Sequence, residues 1–251
     1  MQIAVAGGTG WIGRLVVEVA RAEGHQAVVL ARSTGVDLLS GHGLDEALAG
    51  STAVIDVSNV ITTSRKTAIE FFGTATKNLL AAGGQAGVTR HVALSIVGVD
   101  RVDLGYYAGK RHQEELVLAG PVAGSVLRAT QFHEFAAQML QRGGPFALAP
   151  RMRSQPIAAR EVAEALVALA GQQASGPAPD LAGPEVQEMP DLVRRLLRAR
   201  GSRRVVLPVP VPGAAGRAMA GGGLLPTGPG PRGRQTFDAW LAAGNGVPRP
   251  S

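Results

Sequence analysis

Short runs that are apolar at almost every position, alternating with segments of helical spacing, constrain this chain more than any other feature. "QIAVAG", "HQAVVLAR", "TAVIDVSNV", "RHVALSIVG" and "AGSVLRA" follow one another through the first 130 residues. A strand that is apolar on both faces must be covered on both faces, and helices between successive strands provide that cover and impose parallel pairing. The intervening helices are expected from about Trp11 to Ala22, at "LDEALAG", from Lys66 to Ala82 and from Tyr106 to Leu118. The expected fold class is α/β, a doubly wound parallel sheet of Rossmann type with a small C-terminal portion.

Beyond Thr130 the rhythm loosens. Residues 160–171, 189–201 and 234–244 read as helices, and 207–233 is rich in proline and glycine and reads as a loop. The chain is therefore divided into a first, Rossmann-type domain over 1–150 and an integrated C-terminal cap over 151–251.

Composition removes several classes of function. The chain has no cysteine, and no two of its five histidines lie three or four residues apart, so no metal site is expected. The net charge of +6 belongs wholly to the C-terminal part, because residues 1–140 carry 11 basic and 12 acidic side chains. With 4% aromatic residues, base stacking is poorly provided for, and no nucleic-acid partner is expected. No apolar run approaches the roughly 18 residues of a membrane span, and the N-terminus lacks the pattern of a secretory signal. A cytoplasmic protein without a membrane partner is expected, and its oligomeric state is left open.

Four glycines in seven residues, "GGTGWIG", stand where the first strand meets the first helix. Gly7, Gly10 and Gly13 give Gly-x-x-Gly-x-x-Gly, which permits a tight turn, brings backbone N–H groups to a pyrophosphate and lets helix and strand pack closely. The start of the helix adds partial positive charge. The second strand ends in Arg32, Ser33 and Thr34 where a carboxylate for ribose hydroxyls is common. An arginine there pairs with a 2′-phosphate, so NADP is expected in preference to NAD. Asp37 either accepts from the adenine amino group or solvates a loop.

Tyr106 and Lys110 are four residues apart and share a helix face. A phenol titrates near pH 10, and a neighbouring ammonium lowers that value, which suits proton transfer. Lys110 is one of only three lysines among 25 basic residues, so a compact ammonium is retained there against a background of arginine. Ser95 lies at the end of the preceding strand. Tyr107 packs or lines a substrate pocket, and Gln131, Phe132 and His133 follow the next strand, with His133 expected in the cleft.

The stretches "GGTGWIG", "LARS", "HVALSIVGVDRVDLGYYAGKRHQEELV", "SVLRATQFHEF" and "QPIAAREVAEAL" resemble the short-chain dehydrogenase/reductase superfamily, in its atypical branch of NmrA-like NAD(P)H-binding reductases. The resemblance implies that the loop of Gly7, Gly8, Thr9, Gly10, Trp11, Ile12 and Gly13 cradles the cofactor. It likewise implies that Arg32 and Ser33 meet the adenosine phosphate and that Val57, Ser58 and Asn59 lie along the dinucleotide. Ser95, Tyr106 and Lys110 resemble the catalytic trio: a serine that polarises the substrate oxygen, a tyrosine that exchanges the proton, and a lysine that depresses the tyrosine pKa and binds the ribose. Tyr107, Gln131, Phe132 and His133 fall at the substrate. An NADPH-dependent oxidoreductase acting on a carbonyl, enone or quinone-like small molecule is implied. Two alternatives stand beside it, a non-catalytic NADP(H) sensor and a sugar-nucleotide epimerase. Ser95 is followed by Ile96 rather than by a second hydroxyl residue, and the short stretch before Tyr106 leaves little room for an epimerase's substrate-binding insert.

Overall fold

The structure, a computed structural model, describes residues 1–140, 144–173 and 175–244, so the last seven positions of the expected cap lie outside the described residues. The first half alternates as β1 (Gln2–Ala6), α1 (Trp11–Ala22), β2 (Gln26–Leu30), α2 (Leu44–Leu48), β3 (Ala53–Asp56), α3 (Arg65–Gln85), β4 (Arg90–Ile96), α4 (Gly105–Ala119) and β5 (Ala123–Ala129). It continues through α5 (Phe135–Gln138), β6 (Phe146–Pro150), β7 (Arg153–Ser154), α6 (Ala159–Gly171) and β8 (Gly176–Pro177). The remainder is β9 (Gln187–Glu188), α7 (Met189–Ala199), β10 (Val205–Val209), α8 (Gly213–Ala220) and α9 (Phe237–Ala242).

Six strands form one parallel sheet in the order β2-β1-β3-β4-β5-β8. Each central strand divides its side chains between two apolar layers. Ile3, Val5 and Ile55 point to one face, where they pack with Val16, Val17 and Ala20 of α1 and Val162, Leu166 and Ala170 of α6. Ala4, Ala6 and Val54 point to the other, under Leu44, Leu48, Leu79 and Leu80. This division is why the strands read as uninterrupted apolar runs.

α1 begins and ends where expected. α3 continues past Ala82 to Gln85 and closes with Val88 N–H returning to the Gly83 carbonyl at 2.8 Å, a paired helix ending that the glycines in this stretch permit.

The expected loop over 207–233 is corrected in part. Val205–Val209 pairs in parallel with Phe146–Pro150, and Gly213–Ala220 is helical. Pro208 cannot donate to a ladder, but β10 has only one partner strand and tolerates it. With α7 and α9 these elements build a third apolar layer that includes Met152, Leu192, Leu196, Phe237 and Trp240. Val99, Val102 and Tyr107 join this layer from the segments after β4, so it sits over the C-terminal ends of the strands.

Phe72 of α3 is fully buried and meets Tyr106 edge-on, with ring centroids 5.6 Å apart, which ties the two long helices together beneath the strand ends. Phe72→Ala is expected to cost about 3–5 kcal/mol of unfolding free energy, measured by urea denaturation; a loss below about 1 kcal/mol would show that the interface repacks.

Candidate functional site

The strand order reverses direction between β1 and β3, and the loops after these strands open a crevice, the position where open parallel sheets bind ligands. Gly7 has φ 77°, and a Cβ there would lie 2.9 Å from Ser58 Cα. A Cβ on Gly13 would lie 2.1 Å from the Gly7 carbonyl oxygen and 2.7 Å from Gly8 Cα. The glycines thus bring two loops and a helix start into backbone contact that no side chain permits. α1 begins after Gly10 with no side-chain cap, so its first N–H groups are left for another acceptor.

A cavity of about 660 Å³ opens over this cradle, lined by Gly7, Thr9, Gly10, Arg32, Asp37, Val57, Ser58 and Asn59 among others. Arg32 opens a single turn of 3-10 helix after β2 and, among the described residues, its guanidinium has no ion-pair partner. Asp37 lines the same cavity and accepts from Leu39 N–H at 2.8 Å. Gly8, buried behind the loop, and exposed Ser33 are outside its lining.

A second cavity of about 380 Å³ shares Val57, Ser58 and Asn59 with the first. It brings together Trp11, Ile12, Ser95, Tyr106, Tyr107, Lys110, Gln131 and Phe132, with Leu104, Met152, Met219 and Leu224 closing the apolar wall. Trp11 meets Phe132 edge-on at 5.3 Å between ring centroids. Around the two cavities several buried polar atoms have no partner: Ser58 Oγ, Ser95 Oγ, and both amide atoms of Gln131. Buried polar atoms are normally paired, so these are placed for an occupant. A glycine cradle, an open helix start and unpaired donors and acceptors along one groove fit a dinucleotide.

The expected pairing of Tyr106 with Lys110 is not made. Tyr106 OH donates to Asn59 Oδ1 at 2.7 Å, while Lys110 Nζ donates to the Leu94 carbonyl at 2.9 Å and to Gln113 Oε1 at 2.8 Å. The phenol pKa is accordingly raised, mainly by burial and further by Tyr107, opposite to the direction expected from an adjacent ammonium. Burial also pushes Tyr107 up to about 12. Lys110 is lowered to about 8 by burial, opposed by Asp56 and Glu114.

His133 departs from its expected place in the cleft. It is buried against Phe237 and Trp240, with ring centroids 5.6 and 5.7 Å away, and its Nε2 is 3.1 Å from the Gln235 carbonyl. Gln131 and Phe132 face the second cavity; His133 belongs to the layer behind it. Burial lowers its pKa.

Three residues of the site carry no motif and were not singled out. Asp56 and Gln113 are buried and bonded to each other, Nε2 to Oδ2, at 2.8 Å. Glu134 lines the second cavity, accepts from Trp240 Nε1 at 3.1 Å, and leaves Oε2 buried without a partner; burial raises its pKa. A carboxylate ending an otherwise apolar strand was the one available signal for Asp56. Among the described residues no group of three histidine or acidic side chains suits a metal ion, and no helix is long and apolar enough to cross a membrane.

The fold is a Rossmann-like α/β fold similar to that of solved proteins of the short-chain dehydrogenase/reductase superfamily. A superfamily protein from Agrobacterium tumefaciens solved with bound NAD superposes with TM-score 0.71 at 20% identity, covering 97% of this chain and 95% of that one. MoeE5 in complex with UDP-glucuronic acid and NAD gives 0.73 at 18% identity, over 96% and 97%. A new type of NADPH-dependent quinone oxidoreductase (QOR2) from Escherichia coli gives 0.68 at 16% identity, over 96% and 98%. No protein-family model matches the chain, and no curated protein matches it by sequence.

Lys110 makes stability depend on pH. Its ordinary value of 10.5 falls to about 8 on folding, so between these values the unfolded chain binds the extra proton and stability rises with pH. Relative to Lys110→Met, the natural chain is expected to gain on the order of 3 kcal/mol between pH 8 and pH 10.5, read by urea denaturation at the two values. Parallel curves for the two chains would contradict the buried ammonium.

Proposed function

We propose that the chain is an NADPH-dependent oxidoreductase that reduces an uncharged carbonyl, enone or quinone-like molecule. The observation that carries this reading is that two cavities share Val57, Ser58 and Asn59 as a common wall. The glycine cradle and Arg32 line one of them, and Ser95, Tyr106 and Lys110 the other. Gly7, Gly10 and Gly13 would hold the pyrophosphate, Arg32 the 2′-phosphate, and Lys110 a ribose hydroxyl. The nicotinamide, when bound, supplies hydride to the substrate carbon.

The residues around the second cavity account for the rest. Tyr106 holds its proton through the neutral range and would donate it to the oxygen that gains negative charge; burial makes the phenol a weaker acid than usual, so efficient transfer requires the charge of Lys110 beside it to lower that value. To reach that oxygen it must leave Asn59. Ser95 Oγ, buried and unpaired, donates to the same oxygen. Trp11, Phe132, Leu104 and Met219 exclude water. Among the described residues Lys110 is the one cation lining the second cavity, and two of its three donors are already used, so those residues offer a substrate diphosphate little counter-charge. This favours a neutral substrate over the sugar nucleotide of MoeE5. The likeness to the quinone oxidoreductase makes quinones the first compounds to assay.

A second reading, a dinucleotide-binding regulator without turnover, draws on the same hydrogen bonds. The phenol sits on Asn59 and the ammonium on a carbonyl and an amide, so the pair is not assembled.

Tyr106→Phe is expected to lower kcat for NADPH oxidation by quinones and aryl aldehydes by about 10²–10⁴-fold, with NADPH affinity retained. Undiminished turnover would remove the proton-donor role; tight NADPH binding with no turnover in the natural chain would favour the regulator. Arg32→Glu is expected to weaken NADPH binding by at least about tenfold and NADH binding far less, by titration calorimetry. Equal losses for both would refute the phosphate assignment.

A further inference from the structure

Lys110 is held by groups that are not part of the reacting trio. Gln113, one turn further along α4, is 1% exposed and gives its Oε1 to the ammonium at 2.8 Å. Its Nε2 donates to Asp56 Oδ2 at 2.8 Å, and the other oxygen of Asp56 accepts from Ser58 N–H at 2.9 Å. An amide between an ammonium and a carboxylate has one favourable orientation, because the flipped form sets donor against donor and lone pair against lone pair. The series from Ser58 N–H through Asp56 and Gln113 to Lys110 therefore has a direction. It sets the amide dipole between a fully buried carboxylate and a buried cation, and it begins in the loop shared by both cavities.

We propose that Gln113, oriented by Asp56, is a positioning residue that keeps Lys110 an ammonium beside the second cavity with one N–H free for an occupant. An ammonium has three donors, and the Leu94 carbonyl and Gln113 take two. The inference rests on the role proposed above for Lys110. The other groups facing this ammonium leave the amide a distinct part. Asp56 of β3 is within electrostatic reach and has His91 of β4 as a further neighbour. Glu114 of α4 is committed to Arg128 of β5, with bonds of 2.9 and 2.6 Å. From α3 the neutral Phe72 ring faces it, its centroid 4.4 Å from Nζ, and Tyr106 and Tyr107 are uncharged in the neutral range. Removal of the amide acceptor leaves the desolvation cost of the cation less opposed.

The chain has three lysines, so labelling with ¹³Cε-lysine yields few resonances, and Lys110 is assigned by its loss in Lys110→Met. Gln113→Met keeps the side-chain length and removes both polar atoms; Asp56→Asn keeps the bond to Ser58 and removes the charge. Each is expected to lower the Lys110 titration midpoint by about one unit or more; the charge of Asp56 also reaches Lys110 directly, so the double variant is expected to fall by more than either single shift and by less than their sum. An unmoved midpoint in a Gln113→Met chain with native circular dichroism and cooperative unfolding would overturn the proposal, as would additive shifts. If Gln113→Met does not fold, Gln113→Asn, which draws the amide back by one methylene, decides by the same criterion. The titration needs neither cofactor nor substrate, so a chain that fails to reduce quinones while passing this test separates loss of the functional reading from loss of the relay.

Discussion

Parallel pairing is the constraint from which the rest of this molecule follows. When every strand of a sheet runs the same way, all of their C-terminal ends, and the starts of the helices that follow, lie along one edge. Each loop on that edge contributes one group: the glycine turn from β1, Arg32 from β2, Asp56 to Asn59 from β3, Ser95 from β4, and Gln131 with Phe132 from β5. The covered faces make this economical, because the hydrophobic layers on both sides of the sheet carry stability and leave the edge to polar chemistry.

Charge is also buried between the sheet and α4. Asp56, Lys110 and Glu114 lie within the protein, and a partner or a shift toward neutrality offsets the desolvation of each, while His91 near the start of β4 is pushed toward neutrality by burial. Arg128 holds Glu114 and Asp100 together, so β5, α4 and the segment after β4 are joined by one guanidinium. Such networks are expensive to disturb singly, because removing one member strands another.

What was legible in the sequence was local. The bounds of α1, the glycine cradle and the Tyr106–Lys110 spacing are each written in a few consecutive residues, and the strands show themselves because both faces are buried. Contacts made across long separations were not legible. Tyr106 turning to Asn59, Gln113 reaching Asp56, and His133 facing away from the cleft depend on how α4 and the segment after β5 lie over the sheet, which no short pattern encodes. β10 was hidden by Pro208 and its proline- and glycine-rich surroundings, and of its residues Val206 packs on the apolar layer while Val205 and Leu207 are exposed.

The two cavities draw on very different lengths of chain. The one over the glycine cradle is lined from Gly7 to Phe71, so its walls are made by the first 71 residues. The one beside Tyr106 is lined from Trp11 to Leu224, with Met152, Met219 and Leu224 coming from the later, irregular part of the chain. Substitutions in that part can therefore remodel the second cavity's wall while the first is untouched, and during synthesis the ribosome must deliver nearly the whole chain before that wall exists. Change in ligand preference and tardiness in assembly have one origin, the distance along the chain from which this wall is recruited.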